Sequence, residues 1–536
     1  METASPYAGE MTRNSEPLPA GHARPLLALG LVNLLLVAPL WWRDGAWGSA
    51  WLVPEVGLLA LLAAWPFARR SVALQWALAG VLTFLAAALL GDALVRAVYG
   101  RPLDVLLDPL LLGAGFHLIA GSLGTWAAVL ASVLAAAGVV GTLWVMRAML
   151  GRGLAGASPV TALAIGLVAL GMLAVNLRAP DRGFVRPAVI EMAQAQAGQV
   201  RDTLAEHDAL LARAASPEMA ARPVPMLEGR DVVVVFIESY GASALDQPRY
   251  ADTLRPVLAD AEAELAAAGL ASVSTRMASP IRGGQSWLAH ASALAGQPVD
   301  NNYWYSLLLE SGQDFLTDDL RATGHTPLVV APAIVQDWPE AEALGFDAVY
   351  PAAALDYRGP SSGWVGIPDP YTLHRYGRII RPRHEGPVFA MLLLISSHAP
   401  WSPNPPLPDD PAVLDRDDPW PDWGAPRHDP LAYWRDTDRL RERYPRSLAY
   451  SLQAVFDWAA RDLPDDALLV VLGDHQPATL ITGPDAGWDV PVHFVSGDPA
   501  LLSALAEGAG RRGLEPPPPD ADPPGLETLR DRLRQL

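Results

Sequence analysis

The chain has 536 residues, 51% hydrophobic and 18% charged, with 39 basic against 58 acidic residues, a net charge of −19 and no cysteine. The low charged fraction excludes a disordered chain and favours a membrane portion. The missing cysteine excludes disulfides, cysteine-ligated zinc, iron–sulfur clusters and a thiol nucleophile. Every basic residue is arginine. Residues 1–180 hold 10 Arg against 8 Asp and Glu, and the remainder holds 29 against 50. An acidic half of that size disfavours nucleic acid as a partner.

Apolar stretches of spanning length recur at 24–42, 49–68, 71–95, 125–149 and 158–177, predicting about five transmembrane helices in a domain over residues 1–178. A sixth stretch, 104–120, carries Asp104, Asp108, Pro109 and His117. These are costly in lipid, so a helix on or dipping into the interface is expected there. Arg13 and Arg24, Arg69 and Arg70, and Arg147 and Arg152 flank the spans. Five spans put all three clusters on the cytoplasmic side, as the positive-inside rule requires, and six do not. Everything after residue 178 is then expected on the periplasmic side of a bacterial inner membrane. Asp92, Asp108 and His117 lie near predicted ends or in the interfacial stretch, where solvated charges are ordinary, so no transport path is inferred.

Residues 179–229 are Ala-rich with helical spacing around 187–215, and read as a helical linker. From 231 the pattern changes. The runs DVVVVFIESYG (231–241), PLVVAP (327–332), VFAMLLLISS (388–397), ALLVVLGDH (467–475) and VPVHFVS (490–496) alternate with amphipathic helical stretches. Short, continuous, β-branched runs separated by helices predict an α/β domain with a largely parallel, buried sheet, here over 230–500. In such sheets ligands sit beyond the carboxyl ends of the strands. Glu238 and Ser239, Ser397 and His398, and Asp474 and His475 occur at three of those ends.

Between the first two of these runs lies SPIRGGQSWLAHASALAG (279–296). Gly283 and Gly284 permit close backbone approach, and Ser286 opens a helical run. Ser286 reads either as an ordinary helix N-cap or as a hydroxyl set among free N–H groups where an anionic group binds. The loop 400–445, rich in Pro, Asp and Trp, is too long for a plain connection and is expected to form a lid or a membrane-facing surface. Residues 501–536 read as a tail, with 515–524 a solvated linker to a short terminal helix.

FIES (236–239), GGQSWLAH (283–290), SSHAPW (396–401) and LGDHQP (472–477), in that order, resemble the alkaline phosphatase superfamily in its sulfatase-like branch. The likeness is to the membrane-anchored phosphoglycerol and phosphoethanolamine transferases, including lipoteichoic acid synthase. It implies an alkaline phosphatase-like fold, Ser286 as nucleophile, and Glu238, Ser286, Asp474 and His475 as ligands of a metal ion. It also implies His398 as a substrate-side residue that contacts the transferred group or protonates the leaving alkoxide. A divalent cation so held depresses the hydroxyl pKa of Ser286, and mixed oxygen and nitrogen ligation suits Zn²⁺ or Mn²⁺. The strand MLLLISS supplies no acid for a second ion, so one is expected; His493 stays open as a further ligand or a structural residue. Ser286 is followed by Trp-Leu-Ala-His rather than x-Pro-x-Arg, which argues against a formylglycine sulfatase. Trp338, Arg358 and Trp364 are candidates for headgroup binding, with core packing the alternative for each Trp.

The implied activity is metal-dependent phosphotransfer on a phospholipid headgroup or an envelope phosphodiester or glycan, through a phosphoserine, at the bilayer. Two other readings stay open: a periplasmic phosphodiesterase, phosphatase or sulfuric ester hydrolase, and a non-catalytic membrane-tethered binding protein. The residues specify no oligomeric state.

Overall fold

The computed structural model describes residues 20–44, 51–64, 70–105, 107–153, 158–178, 185–361, 366–424, 436–507, 510–520 and 522–536. Its contacts divide the chain into two units, one of residues 1–94 and 131–197 and one of residues 95–130 and 198–536.

Helices Ala20–Asp44, Glu55–Ala64, Val72–Tyr99, Thr125–Ala148 and Pro159–Arg178 overlap the five apolar stretches; residues 95–130 count with the second unit, and the helices belong mostly to the first. Three helices among the described residues, Val72–Tyr99, Thr125–Gly151 and Pro159–Arg178, are long and apolar enough to cross a membrane. Leu29, Val32, Leu36, Leu40, Leu82, Leu89 and Met146 form a buried cluster in this unit. Asp92 is not the solvated end charge expected from sequence: it is 3% exposed and pairs with Arg43 at 3.3 Å. The stretch at 104–120 forms a turn at Asp108–Leu110 and a helix, Leu111–Leu123, of 13 residues. At 1.5 Å per residue it reaches about 20 Å, short of a hydrocarbon core of about 30 Å. Asp108 there is paired with Arg101 at 2.5 Å; the side chain of His117 lies outside the described set. The linker helix runs Ala188–Ala214, and residues 179–184 lie outside the described residues.

The second unit is built on an eight-stranded sheet, ordered β4-β3-β5-β1-β6-β7-β2-β8. The strands are β1 Val232–Ile237, β2 Ala271–Ala278, β3 Thr326–Ala331, β4 Ala348–Pro351, β5 Val388–Leu394, β6 Leu468–Gly473, β7 Asp489–Ser496 and β8 Arg511–Arg512. The block β4 to β6 is parallel, whereas β7 pairs antiparallel with both β6 and β2. All five apolar runs read from sequence are strands, and the run at 490–496 departs from them in direction.

The run VVVVFI is apolar at every position because both faces of β1 are covered. Val233, Val235 and Ile237 belong to one core with Leu254, Leu258, Leu448 and Phe456, on helices Pro248–Ala267 and Thr437–Asp462. Val232, Val234 and Phe236 face the other core, with Leu288, Leu294, Leu501, Leu529 and Leu533. Residues 501–536 are therefore not a tail. The terminal helix Thr528–Arg534 buries Leu529, Leu533 and Arg530, because Asp319 gives the Arg530 guanidinium an ion pair at 2.7 Å inside the core.

The loop after β5 also packs inward. Trp401, Leu414 and Trp420 join the first core, and Trp420 Nε1 donates to the Pro406 carbonyl at 2.9 Å. Residues 400–424 are thus a structural layer of the domain; 425–435 lie outside the described residues.

Candidate active site

Strand register positions the site. Ile237, the last residue of β1, pairs with Leu394 of β5 on one side and Gly473 of β6 on the other. The three strands end level, so the next residues, Ile395, Glu238 and Asp474, emerge along one edge. Gly473 makes the close fit possible: a Cβ there would lie 1.9 Å from the carbonyl oxygen of Tyr240. Glu238, Asp474 and His475 each offer a ligand atom, all within 4.8 Å of one another, and all three residues are buried. No other such cluster occurs among the described residues.

Each of these side chains has its remaining atoms tied down. Asp474 Oδ1 accepts the backbone amides of Ser239 and His475, both at 2.7 Å. Glu238 Oε1 accepts the Ser239 hydroxyl at 2.8 Å. His475 donates Nδ1–H to the Gln476 carbonyl at 2.8 Å, which fixes the tautomer and leaves the Nε2 lone pair for the site. That nitrogen lies 3.4 Å from Glu238 and 3.7 Å from Asp474.

Ser286 reaches the cluster from another element. Gly283 and Gly284 carry φ of 74° and 136°, and Gln285 is left-handed at φ 67°; this backbone turns the chain sharply into the helix Ser286–Ala295. The helix cap is Gln285, with no side-chain capping bond. Ser286 is therefore the first helical residue and not an N-cap. Its hydroxyl donates to Glu238 Oε2 at 3.0 Å and sits 3.2 Å from His475 Nε2.

The electrostatics follow from three ionisable groups buried together. Burial raises the Asp474 carboxyl, and the neighbouring Glu238 charge raises it further, to about 7. Burial would likewise raise Glu238, but a hydrogen bond with His475 and the imidazolium charge hold it well below the usual carboxylate range. Burial disfavours the charged form of His475, yet Asp474 and Glu238 outweigh it and lift the imidazole to about 9. A divalent cation would relieve the same crowding. Two carboxylates and one neutral imidazole nitrogen, fixed by bonds from their outer atoms, fit Zn²⁺ or Mn²⁺.

His398 follows β5. Its amide donates to Ile395 O at 3.0 Å, and Nδ1–H donates to Ala399 O at 2.6 Å. When neutral, the ring thus carries its lone pair on Nε2; when protonated, its charge helps hold the Glu238 carboxyl down. His493 stands apart from the cluster. It is fully buried between Tyr240 Oη at 3.1 Å and Ser274 Oγ at 2.8 Å, and burial pushes its pKa down to about 3. Trp338 is half-buried against the second core and hydrogen-bonded to Tyr305. Arg358 is exposed and pairs with Asp356 at 3.1 Å. Neither has a described contact with the cluster, and Trp364 lies outside the described residues.

The sequence placed Ser239 and Ser397 at strand ends but did not show that they, with Ser279, support the site. Ser239, at φ 59°, serves both carboxylates and is held by Tyr444 Oη, which donates to its carbonyl at 3.0 Å. The Ser397 hydroxyl donates to the Glu238 carbonyl, and that of Ser279 to the Asp474 carbonyl, both at 2.6 Å. Serines at strand ends are too common for a supporting role to be assigned to these in advance. The positive φ of Ser239 is invisible in sequence.

Residues 230–491 match the family model described as Sulfatase. No curated protein matches the chain. Among solved structures, the chain is similar to the lipoteichoic acid synthase LtaP from Listeria monocytogenes. That match has 13% identity and a TM-score of 0.34, over 51% of this chain and 66% of that one. It is also similar to the C-terminal periplasmic domain of EcEptC from Escherichia coli in complex with Zn, at 14% identity and a TM-score of 0.34, over 53% and 79%. A third is the Streptococcus pyogenes phosphoglycerol transferase GacH, at 11% identity and a TM-score of 0.32, over 62% and 89%.

Proposed function

We propose that the chain, whose residues 230–491 match the Sulfatase family model, is a membrane-anchored phosphotransferase of the alkaline phosphatase superfamily that acts through Ser286. The observation that carries the reading is the Ser286 hydroxyl, within 3.2 Å of both a carboxylate oxygen of Glu238 and the free Nε2 of His475. An N-cap or a core serine has no reason to stand among three ligand-type atoms. Glu238, Asp474, His475 and the Ser286 oxygen would hold one divalent cation. Bound there, it would lower the hydroxyl pKa of Ser286 and offset charge on the phosphoryl oxygens.

The chain's own residues supply the rest. Ser286 Oγ loses its proton to solvent and bonds to phosphorus as the bond to the leaving alkoxide breaks. The helix Ser286–Ala295 presents free N–H groups and its positive dipole end to the phosphoryl oxygens. His398, protonated, gives its proton to the departing oxygen. In the second half-reaction an acceptor hydroxyl passes its proton to His398 and takes the phosphoryl group, and Ser286 regains a proton from solvent. A lipid or envelope acceptor makes this a transferase, and water makes it a hydrolase. Trp338, Arg358 and Trp364 remain candidates for the headgroup.

The apolar helices before residue 178 support a membrane anchor. Three are long enough to span, and Ala20–Asp44 and Glu55–Ala64 fall in the other two apolar stretches. With five spans the Arg clusters lie in the cytoplasm and the catalytic domain outside the inner membrane. A phospholipid headgroup or envelope glycan phosphate is then the substrate class within reach.

The test is turnover of bis(p-nitrophenyl) phosphate and of vesicles containing phosphatidylglycerol or phosphatidylethanolamine. Ser286→Ala is expected to abolish both while one metal ion per chain still binds. Unimpaired turnover in that variant would overturn the assignment.

A further inference from the structure

The turn that carries His398 is built around a residue that takes no part in the chemistry above. Asp369 opens the helix Asp369–Arg375 and is fully buried. Its Oδ1 accepts the backbone amides of Ile395 at 3.0 Å and Ser396 at 2.9 Å, the first two residues beyond β5. Its Oδ2 accepts the Ser451 hydroxyl at 2.6 Å. Its own amide donates to Ser396 Oγ at 2.9 Å, closing a two-way clasp. Ser396 and Ser451 are themselves fully buried.

No ion pair with this carboxylate occurs among the described residues, and the groups that act on it most strongly are hydrogen-bond donors. Burial pushes it up, and the hydrogen bonds from Ser451, Ser396 and Ile395 pull it down. Burying a carboxylate without a counter-charge is costly, and a turn after a strand needs none. The segment it holds explains the expense. The Ile395 carbonyl accepts the His398 amide, and the next residue, Ser397, bonds the Glu238 carbonyl at 2.6 Å. One side chain therefore fixes the strand end from which both His398 and a support of Glu238 depart.

We propose that Asp369 is a positioning residue for the reaction: its carboxylate, clasped to the amides of Ile395 and Ser396, sets the turn that holds His398 beside the Glu238–Ser286 centre. The inference rests on the role given to His398 above. Asparagine at 369 keeps an oxygen for the two amides and can donate its Nδ2 to Ser451. Alanine removes all three bonds and opens a buried gap.

The experiment compares Asp369→Ala, Asp369→Asn, Ser451→Ala and His398→Ala in the full chain, with kcat taken per metal-loaded protein on bis(p-nitrophenyl) phosphate. Asp369→Ala is expected to lower kcat by about tenfold to a hundredfold, the scale of one or two lost buried hydrogen bonds, with metal stoichiometry unchanged. Asp369→Asn is expected to recover kcat to within about threefold of wild type. The Asp369→Ala/His398→Ala double variant is expected to lose little more than His398→Ala alone, because both act on one group. Equal losses in the Asn and Ala variants, or additive losses in the double variant, would overturn the proposal. Should the Ala variant fail to fold, Ser451→Ala removes only the 2.6 Å bond. A wild-type kcat and KM there would overturn it equally. Ser286→Ala separates the two levels: if that variant turns over, the proposed function fails; if it is dead and the Asp369 losses are additive, only the positioning role fails.

Discussion

Asp319→Ala takes one acceptor away from two buried cations. The Asp319 carboxylate receives Arg530 Nε at 2.7 Å and Nη2 at 3.3 Å, Arg534 Nε and Nη2 at 2.8 Å, and the Arg222 amide at 2.9 Å. Asp319 and Arg530 side chains are both 0% exposed, and that of Arg534 is 8% exposed. Removing one member of a buried ion pair costs about 3–5 kcal/mol, because the charge left behind is unpaired. Arg530 retains the carbonyls of Ala295, Asp314 and Met219, which soften the loss, and Arg534 retains those of Glu218 and Ala220. The expected destabilisation is about 4 kcal/mol, or a fall in Tm of about 8 °C for a domain of this size. Thermal unfolding of the full chain in detergent, followed by tryptophan fluorescence, reads it directly. Metal stoichiometry at a temperature where both proteins are folded should not change, since none of the proposed ligands lies on these elements. A variant melting within about 2 °C of wild type would show that the carbonyls alone hold the two guanidinium groups, and would refute the reasoning.

Two other outcomes follow from the same geometry. Glu238→Gln keeps the shape but removes the charge of a proposed ligand, so metal affinity in isothermal titration should fall by at least about a hundredfold, beyond the ten- to hundredfold typical of outer supports; an unchanged affinity would remove Glu238 from the proposed ligand set. His493 is neutral when folded, with a pKa near 3 against an ordinary value of 6.5. Between those values the unfolded chain binds the extra proton, so the contribution to stability is present above pH 6.5 and lost as pH falls toward 3. By pH 4 the loss is about 3 kcal/mol. His493→Gln should therefore flatten the dependence of Tm on pH between 6.5 and 4, and an unchanged slope would refute this.

The strands at the centre of the domain were legible because both of their faces are covered. VVVVFI, VFAMLLL and LLVVLG have no reason to alternate. The same logic hid β2. Its sequence ASVSTRMA looks half-polar, yet it is a buried strand, since Ser274 bonds His493 and Arg276 pairs with Asp246 and Asp489. Those partners are up to 219 residues away, and no local window contains them. The ligand-type residues were visible as Glu, Asp and His at strand ends. Their approach was not, because it depends on the register that ends β5, β1 and β6 level. The N-cap reading of Ser286 failed for a similar reason: its hydroxyl has partners at 238 and 475, so it does not need a backbone amide. Asp369 gave no signal, since an Asp at a helix start between two prolines is an ordinary way to begin a helix.

The level ends of β5, β1 and β6 also order events in time. Glu238 is made early, but its neighbour along that edge, Asp474, is 235 residues further on from Ser239, the residue that bridges them. Pairings this remote form slowly, because the intervening loop must close before any contact repays it. During synthesis, a segment ending before β6 carries Glu238 and Ser286 with no third donor and no second wall for β1. A cation has nothing to settle into at that stage. On the proposed function, loading of the site belongs to the last steps of the domain's maturation, after β6 has joined the sheet, and on the proposed topology the metal available outside the cytoplasm decides which ion is taken.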